Sequence, residues 1–521
     1  MIAGQTYTLT TGTDVRVGSA GDDSFSASLV GAAGAGTTLQ PGDDMNGGDG
    51  ADTLNLTITG DDGGGYTVAG VKTTSIEKVS ISNFDTDNTA YGTAVDAALL
   101  SGVETISLYA SGDNGDTAIS NLGNIVNAEM RNGSADLKLT YTSATVSGSA
   151  DAQNLTVSNI TAGTFNVAGV ETVNVTSEIV ESTLAALTAS KLTTLSVAGD
   201  KDLTITAALD FDGTASGTVI TGTIDASTFT GDLTAKVGAD AENLSVTTGA
   251  GDDTVDFQGT LTKNDVVDLG TGSNTVVISV ADTGNGSAAT QNFTDFQLTN
   301  VSTMKVGILD TSGGTTVDAK ALDDATVVSV VAGTTDTDVT VNNVGATQEV
   351  TVINNAAGTL ELGDVAVNLE DDTSSSDSMT VNPYAASDAD QTLDLLTIDD
   401  GAEAASINVN GLNTTAGSDL TLTSLIADNA ATITLGGAGN LVVTLDETGT
   451  NKTATIDASA MTGEFKFTEA VTNDLTITGS ATAKNTFVMV ATLDNDDTLA
   501  GGSSTTDSVS ATAGSALTAT T

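Results

Sequence analysis

The chain has 521 residues, with 68 Asp and Glu against 14 Lys and Arg, a net charge of −54, and no His, Cys or Trp. That composition excludes Ser-His-Asp and Cys-His nucleophile systems and an ordinary zinc site, and so acidic a surface repels nucleic-acid phosphates and anionic lipids. With 39% apolar residues and 57 Gly, the chain has the globular share needed to bury a core. A thiol-free chain suits export in the unfolded state. Met1-Ile2-Ala3-Gly4-Gln5-Thr6-Tyr7 has neither a basic segment nor an apolar stretch, so no cleaved N-terminal signal is expected. No window approaches the ~18 apolar residues of a membrane span, so no membrane insertion is expected either.

In chain order, short runs of period-2 alternation dominate and read as half-buried strands. A first glycine-aspartate turn, Gly18-Ser19-Ala20-Gly21-Asp22-Asp23, leads into Ser24-Phe25, and a second, Gly47-Gly48-Asp49-Gly50-Ala51-Asp52, into Thr53-Leu54. Ser75-Ile76-Glu77-Lys78-Val79, Gly102-Val103-Glu104-Thr105-Ile106 and Gly169-Val170-Glu171-Thr172-Val173 read as coil starts. Ala94 to Ser101 and Ser182 to Leu192 read as short helices. The turn pair returns as Gly249-Ala250-Gly251-Asp252-Asp253 with Gly270-Thr271-Gly272-Ser273-Asn274, and again as Gly479 to Asn485 with Gly501-Gly502 leading to Asp507. The expected organisation is a module over 1–235, a second over 236–478, and the start of a third over 479–521 with Phe487 and Val509 exposed. Gly-rich coils with few aromatics favour an all-β solenoid of stacked coils. An array of β-sandwich domains is the alternative.

Gly47 to Asn55 fits the nonapeptide G-G-x-G-x-D-x-U-x at every defined position, with Leu54 as the apolar residue. Glycines let the backbone coil tightly and turn carbonyl oxygens inward, and the Asp adds carboxylate oxygen. Calcium takes 6–8 such oxygen ligands. The competing reading is that these are simply solvated turns. It weighs more at the neutral Asn274 and Asn485, and most at the isolated clusters Asp61-Asp62, Asp210-Phe211-Asp212, Asp371-Asp372 and Asp399-Asp400.

The segments GDDMNGGDGADTLNL (Gly42 to Leu56), GAGDDTV (Gly249 to Val255) and NDDTLAGG (Asn495 to Gly502) resemble RTX calcium-binding repeats. TLTTGTD (Thr8 to Asp14) and AGVETVNVTS (Ala168 to Ser177) resemble phrases of RTX-type bacterial surface-layer proteins exported by type I secretion. The resemblance implies a right-handed parallel β-solenoid, calcium-dependent folding outside the cell, and self-assembly into a sheet on the cell surface. Matched residue by residue, Asp52, Asp253 and Asp507 correspond to the terminal ligand Asp, and Gly47, Gly48, Gly50, Gly249, Gly251, Gly501 and Gly502 to the turn glycines. Candidate calcium positions extend to Asp22, Asp23, Asp43, Asp44, Asp49, Asp252, Asp265, Asp268, Gly270, Gly272, Asn274, Asp496 and Asp497. The chain departs from the family in lacking a long tandem array of nonapeptides and a recognisable anchoring domain.

The expected function is that of a structural, self-assembling extracellular surface protein with calcium as its cofactor. Its partners would be copies of itself in a sheet or filament, together with cell-surface polysaccharide. A secreted calcium-dependent adhesin or glycan-binding solenoid is the alternative. A polysaccharide lyase is disfavoured because Arg16 and Arg131 are the only arginines, and a glycosidase because aromatics are 3%. Thr-x-Thr triplets such as Thr57-Ile58-Thr59 are too widely spaced for an ice-binding face.

Overall fold

Alternating aliphatic and hydroxyl residues place one side of every short strand in a core and the other in solvent. The computed structural model describes residues 3–31, 36–60, 66–86, 90–212, 219–238, 243–280, 289–292, 296–308, 315–320, 322, 324–332, 338–354, 360–371, 376–385, 391–398, 402–409, 419–447, 453–470, 474–493 and 496–513. Among these the chain is all-β and folds as a β-solenoid in which each strand pairs in parallel with its counterpart one coil away. Parallel pairing throughout rules out the sandwich alternative, whose sheets are antiparallel. No helix among the described residues is long and apolar enough to cross a membrane.

The chain divides into two compact units, Met1–Asn274 and Thr275–Thr521. In the first, the main sheet runs from Thr6–Thr8 through Ser24–Val30, Thr53–Gly60, Lys78–Asp85, Thr105–Tyr109, Asn127–Gly133, Ala152–Ile160, Thr172–Ser177, Thr194–Gly199, Gly222–Asp225 and Leu244–Thr247 to Val266–Asp268. Phe25, Leu54, Val79, Ile106, Ala128, Leu155, Val175 and Val197 stand in register down its inner face. Each is at most 2% exposed. Burying a Val, Leu, Ile or Phe this fully contributes about 1.5–3 kcal/mol, so the column is one of the cohesive elements of the unit. Tyr7 closes it by stacking on Phe25, centroids 4.9 Å apart. The second unit repeats the device with the buried column Val276, Met304, Val328, Val350, Val381, Ile407 and Leu435.

Both expected helices are strands. Ser182 to Leu192 forms Ser182–Leu184 and Ala186–Ala189, and Ala94 to Ser101 begins as the strand Thr93–Asp96. Leu184, Leu187, Ala189 and Leu192 are all buried, but they point inward from successive sides of one coil. Pairing with Thr164–Val167 and Leu203–Ile205 outweighs the helix-forming composition. Val509 is 53% exposed as expected, but Phe487 is 2% exposed, packed edge-on against Phe465.

Candidate functional site

The glycine-aspartate turns sit at coil corners, next to a strand start of the neighbouring coil whose backbone N–H needs an acceptor. Aspartate supplies one from the neighbouring coil. Asp52 Oδ1 accepts the N–H of Asp23 at 2.6 Å, and Glu77 Oε2 accepts the N–H of Asp52 at 2.7 Å. Asp23 Oδ1 in turn accepts the N–H of Gln5. The second turn pair repeats this: Asp253 Oδ1 accepts the N–H of Leu233 at 2.8 Å, and Asn274 Oδ1 that of Asp253 at 3.0 Å. In the other unit Asp507 Oδ1 accepts from Asn485 at 2.7 Å and Asp497 Oδ1 from Leu475 at 2.9 Å.

In the Asp-Asp pairs the two neighbours face opposite ways along the axis. Asp22, exposed, accepts the N–H of Ala51 one coil ahead at 2.9 Å, while the buried Asp23 reaches one coil back. Asp252 accepts from Ser273 at 2.7 Å, continuing an exposed column in which Asp202 accepts from Asp232 and Asp232 from Asp252. Each Asp-Asp turn therefore fastens both adjoining coils. Charge-assisted bonds of this kind are roughly twice as strong as neutral ones.

The glycines are explained by close approach. A Cβ at Gly47, Gly48, Gly249, Gly251, Gly270, Gly272 or Gly502 would stand 1.9–2.4 Å from a carbonyl oxygen of an adjacent coil. At Gly47 that Cβ would also meet Asp52 Oδ2 at 2.2 Å, and at Gly501 it would meet Asp507 Oδ2 at 2.4 Å. Gly50, with φ +129°, holds a left-handed turn as well.

The carboxylates differ in what remains open to a cation. Both oxygens of Asp43 accept main-chain N–H groups, from Asp14 and Gln40, and both of Asp265 do so from Leu244 and Thr262. Asp23 is likewise engaged on both oxygens. Burial pushes its carboxyl up, but the hydrogen bonds from Gln5 and Ser19 outweigh this and hold it below the usual range. Asp52 and Asp253 are otherwise. Each is at most 1% exposed, and Oδ2 of each is buried without a hydrogen-bond partner. Burial raises both carboxyls, against the hydrogen bond from Asp23 to Asp52 and, at Asp253, that from Leu233 and the nearby Thr248 hydroxyl, with Glu77, Asp23 and Asp22 adding repulsion at Asp52, and Asp232 and Asp252 at Asp253. Buried carboxylate oxygen beside a main-chain carbonyl, as at Asp52 and Ser75, is the donor chemistry of a hard divalent cation. Among the described residues no three acidic side chains converge as a metal group, so main-chain carbonyls would have to supply most of the shell. Asp44 pairs with Lys72 at 2.8 Å, Asp268 accepts the N–H of Gly270, and Asp49 and Asp496 are exposed. Asp61, Asp62, Asp372, Asp399 and Asp400 lie outside the described residues.

Sequence reasoning passed over Glu77, Glu171 and Glu403 as acceptors. Glu171 takes the N–H of Asp151 and Glu403 that of Asp377, both at 2.9 Å. The signal was present for the first two, since Glu77 and Glu171 lie in the phrases read as coil starts. The sequence matches no protein-family model, and a search of curated proteins finds no match either.

Proposed function

We propose that this chain is a structural, self-assembling protein of an extracellular cell surface, RTX-like in its turns, that folds and assembles with calcium. The observation that supports this reading best is the use made of its carboxylates. At the signature turns they bind coil to coil, and at Asp52 and Asp253 one buried oxygen is left over for a cation. Calcium at those positions would offset buried negative charge that otherwise opposes folding, and so stabilise the native state by binding it alone. Copies of the chain are its partners, together with cell-surface polysaccharide.

The test is thermal melting and negative-stain microscopy in millimolar calcium and in chelator. A raised melting temperature with ordered sheets or filaments only in calcium is expected. Identical melting curves without assembled material in either condition would refute the proposal.

A further inference from the structure

Signature turns that end in asparagine differ from those that end in aspartate by one buried atom. Asp52 and Asn274 hold matching places: each closes the second turn of a pair, and each is fully buried. Oδ1 of each accepts the N–H of an aspartate one coil back, Asp23 and Asp253 respectively. The other end of the side chain turns towards the residue five positions earlier. At Asp52 that end is Oδ2, which has no hydrogen-bond partner. It lies against Gly47, where an added Cβ would stand 2.2 Å from it and 1.9 Å from the Ser75 carbonyl oxygen, so both oxygens border one small space. At Asn274 the same end is Nδ2, which donates to the Leu269 carbonyl at 2.7 Å.

Asn485 repeats the device in the other unit, again fully buried. Its Oδ1 accepts the N–H of Ser480 at 2.7 Å, five residues back. Its Nδ2 donates to the carbonyls of Ser480 at 3.0 Å and Ala483 at 3.1 Å, and to Asp507 Oδ1 at 3.2 Å. Neither amide can be turned the other way, because the end that meets an N–H must be oxygen and the end that meets a carbonyl must be nitrogen. Two buried oxygens that share a space repel each other. A cation between them offsets that repulsion, and so does an N–H that one side directs at the other.

We infer that the last residue of each signature turn sets whether that turn depends on calcium: Asn274 and Asn485 carry an amide N–H where Asp52 and Asp253 need the ion. The inference rests on the calcium reading above and draws its boundary. Asp253 belongs with Asp52, since its Oδ2 is also buried without a partner. Asp23, engaged by N–H groups on both oxygens, belongs with Asn274. Each of the first two turn pairs therefore holds one turn closed by hydrogen bonds alone and one that takes a cation. Asparagine also spares the core a negative charge in a chain that already carries −54.

The test compares Asn274→Asp, Asn274→Ala and Asp52→Asn in the full chain, each in chelator and in millimolar calcium. It reads melting temperature and hydrogen exchange at the Asp253 and Asp23 amides. Asn274→Asp should exchange about tenfold faster at Asp253 in chelator and return to the wild-type rate in calcium. Asn274→Ala, with neither a donor nor a carboxylate, should be damaged equally in both. Asp52→Asn should melt at least as high as wild type in chelator, and should lose the calcium-induced rise from its coil. If calcium stabilises the wild type but does not rescue Asn274→Asp, this inference alone is overturned. An Asp52→Asn chain that keeps the full calcium response would overturn it too. A wild type whose melting ignores calcium would overturn the calcium reading and this inference with it.

Discussion

Replacing Gly47 with alanine tests whether the turn glycines serve close coil packing. The new Cβ would lie 1.9 Å from the Ser75 carbonyl oxygen and 2.2 Å from Asp52 Oδ2. Neither neighbour is the free end of a flexible side chain, so either the coil spacing or the Asp52 carboxylate must shift. Overpacking of this kind costs about 1–3 kcal/mol, and freeing the buried Asp23 N–H from Asp52 costs about 1–3 kcal/mol. One displacement produces both effects, so a loss of about 2–4 kcal/mol is expected rather than the full sum. At about 2–4 °C per kcal/mol, the melting temperature should fall by roughly 5–15 °C. Urea denaturation followed by circular dichroism, with hydrogen exchange at the Asp23 amide, reads both parts. Gly112→Ala, whose Cβ meets nothing within 4 Å, should stay within about 0.5 kcal/mol of wild type. If Gly47→Ala matched that control, the close-packing argument would fail.

Asp52→Ala should abolish most of any calcium-induced rise in melting temperature from its coil, whereas Asp212→Ala, at an exposed position, should leave it intact; equal calcium titrations would show that Asp52 holds no ion. Glu129 should contribute to acid sensitivity. Burial works against its charge, but Lys78, Ser107 and Arg131 hold its carboxyl below the usual range. Its contribution is therefore complete above the unfolded value and lost as pH falls through the lower folded one. Glu129→Gln should flatten that part of the stability-pH curve, and an unchanged acid limb would contradict the assignment. Tyr141, pushed up to about 12 by burial, donates to Gln153 and should ionise last in an ultraviolet alkaline titration. The stability it adds is present below the normal tyrosine range and lost as pH rises towards the folded value, so Tyr141→Phe should remove that late step.

Much of the fold is legible in the sequence because a solenoid is built from local rules. Phe25 and Leu54 follow matching turns, alternate in matching strands, and come to lie side by side in the core. Ser182 to Leu192 misleads because its leucines sit at spacings that suit either a helix face or three short sides of one coil. Only the coils above and below decide between these. The site was half legible. Gly47 to Asp52 announces a turn rich in oxygen, yet nothing local says that Asp52 Oδ1 belongs to an N–H 29 residues earlier. Nor does composition distinguish Asp43, engaged on both oxygens, from Asp52, engaged on one; that difference depends on whether a preceding N–H, such as that of Gln40, turns back towards the carboxylate.

The carboxylate fastenings have a mechanical consequence. Asp52 holds a donor 29 residues back and Asp253 one 20 residues back, so along this stretch each loop of chain is tied chiefly to its immediate neighbours. Pulled from an end in a force spectrometer, the first unit should unravel in short, nearly even steps, each freeing roughly 70–100 Å of extended polypeptide. Such a chain would lengthen under load and absorb work loop by loop before it parted.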